Sequence, residues 1–217
     1  MSQWHLHALD ARGDLGPHLD ALRIVSTEAV TLAQGVAALP RFDLVVHGRA
    51  GGGVPEWGVG GLAPRPGLIE ITVDPERWRP EGLRRTLIHE LHHLLRWDGP
   101  GYGRTLGQSL VSEGLAGHFV LQVLGGRPDP WDRVIPAPGL AGQALREWDV
   151  ARYDHARWFF GGGGLVRWAG YGLGHRLVGH HLSRHAGATA AGLAGADARR
   201  FRPDLTVLAA SAVAAPV

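Results

Sequence analysis

The sequence predicts an α+β fold, a small N-terminal sheet of two to four strands packed on a helical C-terminal portion. Three observations carry this. The β-branched runs are confined to the first 75 positions, long stretches with helical apolar spacing follow, and clusters of Gly and Pro separate them. At 217 residues the chain is expected to form one domain, with an α/β part over about 1–80, a helical part over about 81–195 and a tail over 196–217.

Taken in order, residues 18–39 place Leu19, Leu22, Val25, Ala29, Leu32 and Val36 on one helical stripe that Pro40 ends. Phe42 to His47 reads as a strand. The Gly- and Pro-rich run from Gly48 to Gly67 reads as a flexible connection, either a lid or a simple hairpin excursion. Leu68-Ile69-Glu70-Ile71-Thr72-Val73, closed by Asp74-Pro75, is a second strand. A helix over about 81–97 buries Leu83, Leu87, Leu91, Leu94 and Leu95, and Asp98-Gly99-Pro100-Gly101 stops it. Further helices are expected over 106–124, 140–160 and 171–185, before an Ala-rich tail.

Composition limits the function. The chain has 22 basic and 20 acidic side chains, and every basic one is Arg. The sequence pI of 9.6 therefore overstates its basicity, and the near-balance gives no reason to bind nucleic acid or an anionic membrane. The absence of Lys and Asn beside abundant Ala, Gly and Arg points to a GC-rich bacterial genome. With no cysteine, disulfides and thiolate metal ligands are excluded. Met1-Ser2-Gln3-Trp4-His5 lacks the basic and apolar regions of a secretory signal, so a cytoplasmic location is expected. The apolar tail from Leu205 to Val217 is too short to span a bilayer.

The chemistry gathers at His89-Glu90-Leu91-His92-His93. Positions i and i+4 of a helix lie on one face about 6 Å apart, so His89 and His93 can aim their imidazoles at one point with Glu90 beside it. This HExxH spacing suits two ligands of Zn²⁺ and a general base toward a metal-activated water. Glu113 on the next helix, set among small residues, supplies a third ligand and leaves the fourth position open, as in catalytic sites. His92 points about 100° from His93, which predicts a surface or supporting role rather than ligation. The competing reading of His89 and His93 is a pair of hydrogen-bonded core histidines; that of Glu113 is an ordinary helix-face carboxylate. No His-x-x-Gly-x-x-His extension follows His93, so the metzincin arrangement is excluded.

The blocks His89-Glu90-Leu91-His92-His93-Leu94-Leu95-Arg96, Leu110-Val111-Ser112-Glu113-Gly114-Leu115-Ala116 and Trp168-Ala169-Gly170-Tyr171-Gly172-Leu173-Gly174 together resemble the bacterial family of predicted zinc-dependent proteases of the YjaZ type, over about residues 68–185. The resemblance implies a zincin-like, gluzincin-type peptidase with His89, His93 and Glu113 as zinc ligands and Glu90 as base. For the oxyanion donor, Tyr171 is the first candidate and His175, one turn on, the second; Tyr153 and His155 are weaker rivals. The strand over 68–73 is placed like the edge strand that pairs with an extended substrate in zinc peptidases, although an ordinary sheet strand fits equally. Asp74 and Asp98 are either supports for the ligand imidazoles or turn formers. The expected function is zinc-dependent hydrolysis of peptides or proteins. The alternatives are a non-catalytic zinc module, structural or sensing, and, less favoured, an Arg-rich nucleic-acid binder.

Overall fold

The computed structural model describes residues 4–213. Residues 1–3, part of the leader argument, and 214–217, the end of the apolar tail, lie outside the described residues. The chain forms two compact units, Met1–Asp98 and Gly99–Val217, taken here in turn. Among the described residues strands occur only in the first and helices dominate the second, so the fold is α+β as expected.

In the first unit, strands β1 (Trp4–Leu9), β2 (Phe42–Gly48), β3 (Val59–Arg65) and β4 (Leu68–Val73) form one mixed sheet in the order β1-β2-β4-β3. β1 and β4 both run parallel to β2, with Leu44 opposite Leu6 on one side and Ile69 on the other. β3 runs antiparallel to β4 after the two-residue turn Pro66-Gly67. The period of two is legible in burial: Leu44 and Val46 are buried while Asp43 is exposed, and Ile69, Ile71 and Val73 are fully buried.

Two strands were not expected individually. β1 alternates Trp4, Leu6 and Ala8 with outward His5 and His7, and β3 arises inside the Gly-rich run, so the hairpin option for that run is the observed one. β3 contains Gly60, Gly61 and Pro64, residues that disfavour strands. It survives at a sheet edge, where Pro need not donate to a ladder, and its register shifts between Leu62 and Arg65. Of the two readings of the strand over 68–73, the ordinary sheet strand is the observed one: β4 is interior, and β3 is the edge on its side.

Helix α1 (Leu19–Gln34) buries Leu22, Val25, Ala29, Val30 and Ala33. It stops at Gly35, short of the expected Leu39, and the last turn tightens there, the Val36 amide reaching the Ala33 carbonyl three residues back. Glycine weakens helix continuation by about 1 kcal/mol, enough to end it before Pro40 forces the issue. Helix α2 (Pro80–Trp97) begins with Pro80 in its first turn, where a missing amide costs nothing. It is buried on nearly every face, with Leu83, Leu87, Ile88, Leu91 and Leu94 as its apolar part. It packs on α1 and β3.

The second unit holds helices α3 (Leu106–Leu124), α4 (Leu140–Glu147), α5 (Ala169–Arg184) and α6 (Arg202–Val213), with a π-helical turn at Ala156–Phe160. α3 starts with a capping box in which Thr105 accepts from the Gln108 amide and the Gln108 side chain accepts from the Thr105 amide. The helix expected over 140–160 is broken after Glu147. The carbonyls of Trp148 and Val150 are drawn off to accept the amides of Gly107 and Leu106, first-turn donors of α3 that have no partner inside their own helix. Among the described residues no helix is long and apolar enough to cross a membrane.

α3 and α5 lie backbone to backbone where Gly114 meets Gly174: a Cβ on Gly114 would collide with the Gly174 carbonyl, and one on Gly174 with the Leu110 carbonyl. Because the obstacle is backbone, no rotamer change relieves it. Gly114→Ala is expected to destabilise the protein by about 3 kcal/mol, the upper end of overpacking costs, measurable as a lowered midpoint in urea.

Candidate metal centre

The middle of α2 brings the two predicted imidazoles together. One helical turn separates His89 and His93, and their Nε2 atoms lie 3.1 Å apart, with ring centroids 4.8 Å apart and planes at 77°. Both residues are buried. Two imidazole nitrogens on one tetrahedral zinc, each at about 2.0–2.1 Å, would stand roughly 3.3 Å apart. The pair thus converges at the spacing that a shared ion requires.

Glu90, also buried, is shaped from outside by β3. A Cβ built on Gly61 would sit 2.6 Å from Glu90 Cγ, 2.8 Å from Glu90 Oε1 and 2.8 Å from Thr86 Cγ2. The missing side chain at Gly61 therefore gives Glu90 its room. His92 is 0% exposed, which overturns a surface role for it. Asp74 is buried, and its carboxylate accepts from the amides of Gly51 and Glu76, so it serves the turn after β4. Asp98 is exposed at the C-cap of α2.

On α3, Glu113 is 4% exposed. Tyr102 Oη donates to Glu113 Oε1 at 2.6 Å, and Ser112 Oγ donates to the Tyr102 carbonyl at 2.6 Å. Burial, reinforced by the Glu113 charge, holds the Tyr102 pKa well above its ordinary value, so the phenol stays a donor. Nearby, Tyr153 Oη donates to Ser109 Oγ at 2.6 Å and lies 2.8 Å from His155 Nδ1. The His155 ring stacks on Phe159 at 4.5 Å. Burial lowers the His155 pKa, while the carboxylates of Glu113 and Asp154 act to raise it; the net shift is downward and favours the neutral ring.

Of the two donors expected on α5, Tyr171 packs edge-on to Phe159 at 5.0 Å and is close enough to Tyr102 to help raise its pKa. His175 sits in a separate cluster. Its ring stacks on His118 at 4.0 Å, and its Nδ1 is 3.7 Å from Asp132 Oδ2. Burial, with His118 and Arg176 adding to it, lowers its pKa to about 3, so it is neutral near pH 7.

His89, His93 and Glu113 form a group able to hold a metal ion: each offers one ligand atom, and these atoms all lie within 4.8 Å of one another. Two imidazoles and a carboxylate, without thiolate, are donors that zinc accepts, so the residues present fit the ion. Gly61 and Tyr102 escaped the sequence reading, and Ser112 entered it only as a small neighbour of Glu113. Gly101-Tyr102-Gly103 offered a faint signal, since both glycines take positive φ (70° and 107°) and so fix an unusual backbone around one aromatic residue.

A family model described as "Predicted Zn-dependent protease (DUF2268)" matches residues 39–201. No curated protein matches the chain.

Proposed function

Given that the chain belongs to the family of predicted Zn-dependent proteases (DUF2268), we propose that it is a gluzincin-like zinc metallopeptidase in which His89, His93 and Glu113 hold the ion and Glu90 is the general base. The observation that carries this reading is the buried two-histidine, one-glutamate group with Glu90 adjoining His89 on the same helix. When bound, zinc supplies Lewis acidity that acidifies water and polarises a peptide carbonyl.

The rest falls to this chain's own side chains. Glu90 Oε takes a proton from the attacking water and returns it to the leaving amine, so one carboxylate serves first as base and then as acid. The peptide or protein substrate lies extended along β3. Val59 already accepts the Val54 amide and Ala63 the Trp97 indole N–H, so the stretch of edge between them, where Gly61 lies against Glu90, is the part left to the substrate. Negative charge developing on the carbonyl oxygen needs a second donor, a role we assign first to Tyr171 and second to His175. Tyr171 has the better support, through its closeness to Tyr102 and so to the phenol on Glu113. His175 is turned toward Asp132.

Hydrolysis of an unstructured peptide library by the zinc-loaded protein tests this function. Gly61→Ala probes its geometry in the same assay: the atoms nearest the added methyl belong to Glu90 and Thr86, so it must displace Glu90. Activity is expected to fall roughly 10- to 100-fold, the scale of small misplacements, at unchanged zinc content. Full activity in this variant would remove the placement of substrate and base at β3.

A further inference from the structure

We propose that Tyr102 is a positioning residue for Glu113, its hydroxyl orienting the carboxylate toward the ion. The inference rests on the assignment of Glu113 as a zinc ligand and adds to it the group that sets its orientation. At 2.6 Å the Tyr102 to Glu113 bond has the length of a charge-assisted O–H···O⁻ contact, about twice as strong as a neutral one.

The donor is itself held from several directions. Ser112, the residue before Glu113, donates its hydroxyl to the Tyr102 carbonyl at 2.6 Å. Two residues on, the Gln108 side chain accepts the amides of Arg104 at 2.7 Å and Thr105 at 3.0 Å. On either side of Tyr102, Gly101 and Gly103 take φ of 70° and 107°, values that only glycine adopts readily. A Cβ on Gly103 would also collide with the Gln108 side chain. The loop is thus fastened to α3 at Tyr102 and just after it, and Ser112 and Glu113 grip Tyr102 by backbone and by hydroxyl in turn. A phenol fixed this firmly limits rotation of the carboxylate, and partners of this kind are typically worth 10- to 100-fold in metal affinity.

The experiment measures zinc dissociation constants by chelator competition for the full-length protein, Tyr102→Phe, Ser112→Ala, the double variant and Glu113→Gln. Tyr102→Phe is expected to bind zinc about 10- to 100-fold more weakly. Ser112→Ala should lose less, and the double variant should be no worse than Tyr102→Phe, because Ser112 acts through the phenol. A loop contact that merely stabilised the fold would lower the melting temperature of the metal-free protein and leave zinc affinity alone. Wild-type affinity in Tyr102→Phe, or additive losses in the double variant, overturns the proposal while the metal assignment stands. Zinc affinity indifferent to Glu113→Gln overturns the assignment, and the role of Tyr102 with it.

Discussion

Glu90→Gln is expected to lower kcat for peptide hydrolysis by about 10²- to 10⁴-fold, the usual contribution of a general base, with zinc content and KM little changed. Glutamine keeps the size and polarity of the side chain, so the packing beneath Gly61 is preserved. What disappears is the ability to take and return a proton at one carboxylate oxygen. An effect confined to kcat marks an interaction made in the transition state. Equal kcat in the two zinc-loaded proteins would remove Glu90 from the chemistry and leave a zinc module without catalysis.

His93→Ala is expected to abolish stoichiometric zinc binding. The substitution removes one of three ligands and leaves His89 without the nitrogen now 3.1 Å from it; the loss should exceed the 10- to 100-fold typical of an indirect partner. The readout is thermal. With free zinc near a thousand times its dissociation constant, binding stabilises the native state by about 4 kcal/mol. For a chain of this size that corresponds to a rise in Tm of roughly 10 °C. The wild type should show this rise and His93→Ala almost none.

The legible parts of the fold were those with a local signal strong enough to survive tertiary context. α3 begins and ends where its periodicity and flanking Gly125-Gly126 place it, and α2 begins one residue early because Pro80 fits a first turn. β3 was illegible: Gly60, Gly61 and Pro64 oppose a strand locally, and only pairing with β4 holds them in one. The break after Glu147 was likewise invisible, since its cause is a pair of amides about forty residues upstream that capture the Trp148 and Val150 carbonyls.

The site divides the same way. His89, Glu90 and His93 share one helix and one spacing rule, so the sequence exposes them together. Glu113 needed only a second helix. Tyr102 reaches Glu113 by a loop geometry set by two glycines in left-handed conformations, which no periodicity encodes. Gly61 acts by lacking a side chain, and its meaning appears only when the atoms that would occupy that space are known.

The most direct test of the zinc-peptidase account is an anomalous difference map from crystals of the zinc-loaded protein, recorded at the zinc edge. The account predicts one strong peak about 2.0–2.2 Å from His89, His93 and Glu113, with no fourth protein side chain bonded to the ion. No peak at these residues, or a fourth side chain closing the shell, would contradict it.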